Sequence, residues 1–207
     1  MVLNENTYVL TENNYVKEET QKKQIVLAHT FNDNMRHFIG WKNRYNGNYK
    51  KTAAFTIDAA GFIYKHFEPK YKSKFFEVED LNDKSIVILL ENCGWLDKDT
   101  EKNRYITWLG DIYNKTSEVV NKRWRNNKYW DSYTTEQFDS ALNLVSNLCD
   151  EFNIPKNVIS HNTKINNFFD YRGVLYKSNL NKNYTDLNPS WDFDKFKQKL
   201  EQIWKNV

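Results

Sequence analysis

The sequence predicts a single α/β domain, a central mixed β-sheet flanked by helices. Three observations carry this. Two short apolar runs, QIVLAH (24–29) and SIVILL (85–90), read as strands buried on both faces, the second of them central. Between them, 53–58 and 61–65 are extended runs around Ala59-Ala60-Gly61, a hairpin with glycine where φ > 0 is needed. Helical periodicities alternate with these strands, and the hairpin makes the sheet mixed.

The elements follow in order. Residues 1–22 are polar and read as an extended arm over the surface, ahead of a domain at 23–207. Residues 32–45 place Met35, Phe38, Ile39 and Tyr45 at helical spacing. The charged, aromatic stretch 97–130 is assigned to helix. Thr134 and Gln137 then form a capping box ahead of Phe138, Ala141, Leu142, Val145, Leu148, Cys149 and Phe152, a 3.6-period stripe ended by Pro155. Val158-Ile159-Ser160 reads as a further short strand. Asp192 caps a last helix with Phe196, Leu200, Ile203 and Trp204 on one face.

A chain of 207 residues fits one domain, and 6 Gly with 3 Pro leave no linker to divide it. The apolar share of 40% excludes disorder, and a net charge of +3 excludes a nucleic-acid-coating role. No apolar run approaches the ~20 residues of a membrane span. Residues 1–23 lack a basic start followed by an apolar core, so the expectation is no signal peptide and a cytoplasmic or virion-associated protein. Cys93 and Cys149 are too few for a disulfide framework or a four-Cys zinc site, and are read as structural thiols.

The chemistry-bearing residues sit at strand ends. His29 closes the first strand, His161 the strand after the long helix, and Asp186 lies in the turn YTDLNP before the last helix. Two His and one Asp are a legitimate three-ligand set for catalytic zinc. The same residues also have ordinary roles, with His29 half-buried, His161 capping a strand and Asp186 making an Asx-turn. The segment 122–130 interleaves cations with aromatics, making Trp124 and Trp130 candidate glycan contacts; inward packing of both indoles is the commoner alternative.

Taken in order, IVLAHT, AAFTIDAAGFIYKHF, SIVILLEN, YTTEQFDSALNLVSNLCDEFNIP, VISHNTK and YTDLNPSWDF resemble the zinc-dependent N-acetylmuramoyl-L-alanine amidase family over roughly 24–200. That family shares its fold with phage lysozyme-type amidases and peptidoglycan recognition proteins. The resemblance implies a metal site of His29, His161 and Asp186, peptidoglycan or muropeptide as ligand, and a substrate groove near Tyr71. It also exposes departures. The family's first zinc His falls on Ala28, one residue before His29, and one residue changes the face of a strand. A polar pair before the hairpin is Ala53-Ala54, the general-base Glu is Leu89, and the oxyanion Lys is Tyr184. Glu91 and Tyr184 are the candidate catalytic stand-ins.

These substitutions predict doubtful zinc occupancy and weak or no hydrolysis by a peptidoglycan-directed, phage-type protein. The alternatives are a working, endolysin-like zinc amidase and a structural or regulatory protein-binding module on the same fold. Neither needs a membrane, and nucleic acid is the outlying partner.

Overall fold

Hydrogen bonding sorts the strands into two large sheets and a ribbon, in a computed structural model that describes residues 3–32, 34–43, 46, 51–115, 118–165 and 167–205. The strands of the first half are β1 (Leu3–Asn4), β2 (Val16–Glu19), β3 (Gln24–His29), β4 (Phe55–Ile57), β5 (Ile63–Lys65), β6 (Tyr71–Lys72) and β7 (Ser85–Leu90). Those of the second half are β8 (Trp95–Asp99), β9 (Arg104–Thr107), β10 (Ile112–Tyr113), β11 (Val120–Trp124), β12 (Asn127–Trp130) and β13 (Gly173–Tyr176). The helices are α1 (Asn34–Asn43), α2 (Glu79–Lys84), α3 (Thr135–Glu151), α4 (Lys177–Leu180) and α5 (Phe193–Lys205). Tyr45 and the side chains of Met35, Ile39 and Trp204 lie outside the described part.

The main sheet runs β1-β5-β4-β7-β3-β13. It is mixed because β4 and β5 form the antiparallel hairpin while β4, β7, β3 and β13 run parallel. Every residue of β3 and β7 is buried, as an apolar run between two covered faces requires. α3 lies in the same core through Phe138, Ala141, Leu142, Val145 and Leu148, together with Ile86 and Ile88. Its capping box forms, with Thr134 Oγ1 accepting from the Gln137 N–H and the Gln137 side chain accepting from the Thr134 N–H. Gln137 Nε2 also donates to the Glu91 carbonyl at 2.8 Å, tying the helix start to the end of β7. α5 follows Asp192, whose side chain accepts from the Lys195 N–H, and buries Phe196 against Phe138 and Trp191.

Three expectations are corrected. The stretch 97–130 holds strands rather than helix among its described residues: β10-β9-β8-β12-β11 make a five-stranded antiparallel sheet. Its strands carry charge and aromatics on both faces, which hides the period-2 signal. The turns do obey strand chemistry, since Arg125 and Asn126 both have positive φ, as a two-residue hairpin loop demands. Second, Val158 makes only an isolated bridge to Val174, and the strand beside β3 is β13. Third, the N-terminal residues do more than cross the surface. β1 extends the main sheet along β5, β2 pairs with β6, and Leu10 and Tyr15 are buried in the core.

Candidate functional site

A cleft of about 330 Å³ opens at the carboxyl end of β3, where ligands of α/β sheets bind. His29, Thr30, Arg36, Lys177 and Tyr184 line it, with Phe31, Phe75, Phe76 and Trp108 as aromatic walls. The inserted sheet helps to build it, because the Trp108 indole donates to the Phe31 carbonyl at 2.8 Å and Asp111 pairs with Arg36 at 3.0 Å.

Beside the cleft, a buried polar knot joins three segments. Asp131 accepts from the Tyr113 hydroxyl at 2.5 Å and from the Cys93 N–H at 2.6 Å. Asn188 donates to Asn92 Oδ1 and to the Asp131 carbonyl. Burial raises the Asp131 pKa against the pull of these donors. The knot fixes the exit of the inserted sheet and the 186–191 turn to the end of β7. Burial also pushes the Cys93 and Cys149 thiols up to about 12, so neither is an activated nucleophile.

Of the three proposed metal ligands, the structure brings two, His29 and Asp186, near each other. Asp186 is completely buried, and its Oδ2 accepts from the His29 backbone N–H at 3.4 Å. The His29 ring, however, places Nδ1 2.9 Å from the Tyr133 hydroxyl. Its Nε2 faces Gly94, where a Cβ would come within 3.2 Å. Burial pushes the His29 pKa down to about 4, so the ring is neutral. His161 lies elsewhere, stacked on Phe193 with centroids 3.9 Å apart and packed against Trp124. Burial, with repulsion from Lys122 and Arg125, lowers its pKa to about 4. Among the described residues no three His, Cys, Asp or Glu side chains converge on one point. The donor set does not fit zinc.

What meets Asp186 is Lys177, which the sequence reading overlooked. It follows β13 directly, and its Nζ lies 3.3 Å from Asp186 Oδ2. Burial pushes the Asp186 pKa up, yet Lys177, then His29, hold it below the ordinary carboxylate value. The signal was present in the sequence as the short apolar run Val174-Leu175-Tyr176, a strand with a cation at its end.

The remaining candidates divide. Glu91 sits just past β7 with Oε2 accepting from the Ala59 N–H at 3.2 Å, in a second cleft that also contains Asp131. Leu89 is buried core. Tyr184 is 38% exposed, with its ring at the cleft mouth. Trp130 is wholly buried and donates its indole N–H to the Lys122 carbonyl, so it is core rather than a ligand contact. Trp124 is half-buried and donates to Asn162 Oδ1 at 2.6 Å. Tyr71 stacks on Tyr15 in the β2–β6 ribbon and does not line the cleft.

Arg125, at the tip of the β11–β12 hairpin, donates to the carbonyls of Ser178, Asn181 and Tyr184. It thus holds the segment carrying Tyr184 against the inserted sheet. Arg125→Ala is expected to cost about 2 kcal/mol, since hydrogen bonds from a charged donor are worth about 1.5–3. Limited proteolysis should then cut within 178–184; unchanged cleavage and melting would show that the clamp carries no load.

A sequence profile of the N-acetylmuramoyl-L-alanine amidase family matches residues 18–171. No curated protein matches the chain at the sequence level. Among solved structures, it is similar to the endolysin N-acetylmuramoyl-L-alanine amidase LysCS from Clostridium intestinale, with TM-score 0.55 and 15% identity over 96% of this chain and 94% of that one. It is similar to AmiD from E. coli, solved with an anhydro-N-acetylmuramic acid peptide, with TM-score 0.57 and 13% identity over 89% and 59%. It is also similar to Staphylococcus aureus AmiA, solved with its ligand, with TM-score 0.55 and 11% identity over 98% and 82%.

Proposed function

Because the chain belongs to the N-acetylmuramoyl-L-alanine amidase family, we propose that it binds peptidoglycan or its muropeptides in the β3 cleft and hydrolyses them weakly or not at all. One observation supports this reading: a cleft opens at the carboxyl end of β3, while among the described residues His29, His161 and Asp186 form no three-ligand cluster. Zinc bound there would lack its protein shell, and occupancy is accordingly low. Leu89 offers no base, and the cation beside Tyr184, Lys177, is engaged by Asp186. Losing a general base costs about 10²–10⁴ in rate and an oxyanion donor about 10²–10³, though not additively. The helices among the described residues include none long and apolar enough to cross a membrane, and a cytoplasmic or virion-associated setting is the location we propose.

A protein-binding role on the same fold is the second reading. It is favoured by Trp108, Leu109 and Ile112, all exposed around one hairpin turn beside the cleft.

Co-sedimentation with purified insoluble peptidoglycan, followed by assay of released amine, separates these readings. The expected result is sedimentation with the wall and no peptide release at protein levels where an active amidase clears the suspension. Robust release abolished by a chelator would restore the enzyme reading. Failure to sediment would favour the protein-binding one.

A further inference from the structure

Strand β13 lies parallel to β3 with Tyr176 opposite Leu27, so the chain enters the cleft floor at Lys177 just as β3 reaches Ala28. Lys177 and the His29 N–H both direct hydrogen at Asp186 Oδ2. The ammonium is further enclosed by two ring faces, Tyr184 with its centroid at 4.7 Å and Phe75 at 5.2 Å. A carboxylate at one side and aromatic faces at others are the surroundings in which a cation needs little water. Only 17% of the Lys177 side chain is exposed.

We propose that the Lys177 ammonium takes the place of a metal at Asp186, making the floor of the cleft a built-in ion pair closed to zinc. The inference rests on the reading above for the cleft's being the ligand site, and adds that binding there is independent of metal. Charge supports it. A divalent ion at Asp186 would stand beside an ammonium 3.3 Å from the carboxylate, with Arg36 and Lys51 also lining the cleft. Geometry supports it too, because the His29 Nδ1 lies 2.9 Å from the Tyr133 hydroxyl while the Lys177 ammonium already holds Asp186 Oδ2. To admit zinc at Asp186 Oδ2, the protein would have to expel Lys177 from its cage.

The test reads metal content and folding, so it stands apart from any peptidoglycan assay. Protein purified without chelator, then equilibrated with equimolar zinc and desalted, should carry well under one zinc per chain and melt at the same temperature with or without zinc. Lys177→Met should lower Tm by roughly 10 °C, because it strands a buried carboxylate. Lys177→Met combined with Asp186→Asn should regain most of that loss. If the single variant does not fold, recovery of folding in the double variant gives the same answer. Stoichiometric zinc in the wild type would overturn the proposal. So would a double variant that melts no higher than Lys177→Met. Failure to bind peptidoglycan in a zinc-free protein would overturn the functional reading alone.

Discussion

Trp130→Ala is expected to unfold the inserted sheet at temperatures the wild type tolerates, with a loss of about 3–5 kcal/mol, the usual cost of truncating a fully buried Trp. The indole is completely enclosed, packs on Trp124 with centroids 5.6 Å apart, and donates its N–H to the Lys122 carbonyl. Its removal leaves a cavity and an orphaned carbonyl together. The position also matters: Trp130 pairs with Trp95, so one residue closes the sheet where the chain enters and leaves it. The next residue, Asp131, belongs to the polar knot under the cleft. Urea melts followed by near-ultraviolet circular dichroism would read the effect, with Trp130→Phe losing much less. A loss below about 1 kcal/mol for the alanine variant would mean that the sheet does not depend on this side chain.

Acid should destabilise the protein well before its carboxylates titrate, and His66 is a principal cause. It is fully buried, with Nδ1 2.7 Å from the Tyr8 carbonyl and Nε2 2.7 Å from the Thr56 hydroxyl. Burial lowers its pKa from 6.5 to about 4, against the pull of the Tyr8 carbonyl. An unfolded chain therefore takes up a proton near pH 6.5 that the folded chain refuses until about pH 4. The contribution is complete above pH 6.5 and is lost as pH falls through that window, to about 3 kcal/mol at its lower end. Denaturant melts at pH 7, 5.5 and 4.5 measure the slope. His29 and His161, also lowered to about 4, act in the same window, so His66→Asn, which keeps a donor toward Tyr8, should reduce the slope without abolishing it. An unchanged slope in that variant would assign the acid sensitivity to other groups.

Much of the fold was legible because its signals were local. The fully apolar β3 and β7, the glycine-bearing turn of the β4–β5 hairpin and the capped stripe of α3 each follow from a period or a cap. The inserted sheet was not legible by periodicity. VNKRW and NKYW alternate nothing, and their strand character rests on long-range pairing such as Tyr129 opposite Leu96 and Trp130 opposite Trp95. The site was legible in place and misread in content. Asp186 does lie at the end of β3, but its partner comes from β13, a four-residue strand inside what looked like a loop. His161 drew attention by residue type, whereas its surroundings of Trp124 and Phe193 make it a packing residue. The one-residue offset between Ala28 and His29 puts the His29 backbone N–H, at 3.4 Å, on Asp186, and its ring Nδ1 2.9 Å from the Tyr133 hydroxyl.

The placement of β13 at the outer side of β3 has a kinetic consequence. Gln24 pairs with Ser85 on one flank and with Gly173 on the other, so one neighbour of this strand lies far downstream of it in sequence. The β4–β5 and β11–β12 hairpins close short loops and can form as they emerge, whereas the β3–β13 ladder must wait until Tyr176 has been made. Until then QIVLAH presents an open, apolar edge of the kind that pairs with other chains. A nascent or truncated polypeptide ending before Gly173 would therefore be the aggregation-prone form, and the completed chain seals that edge with the same strand that delivers Lys177 to Asp186.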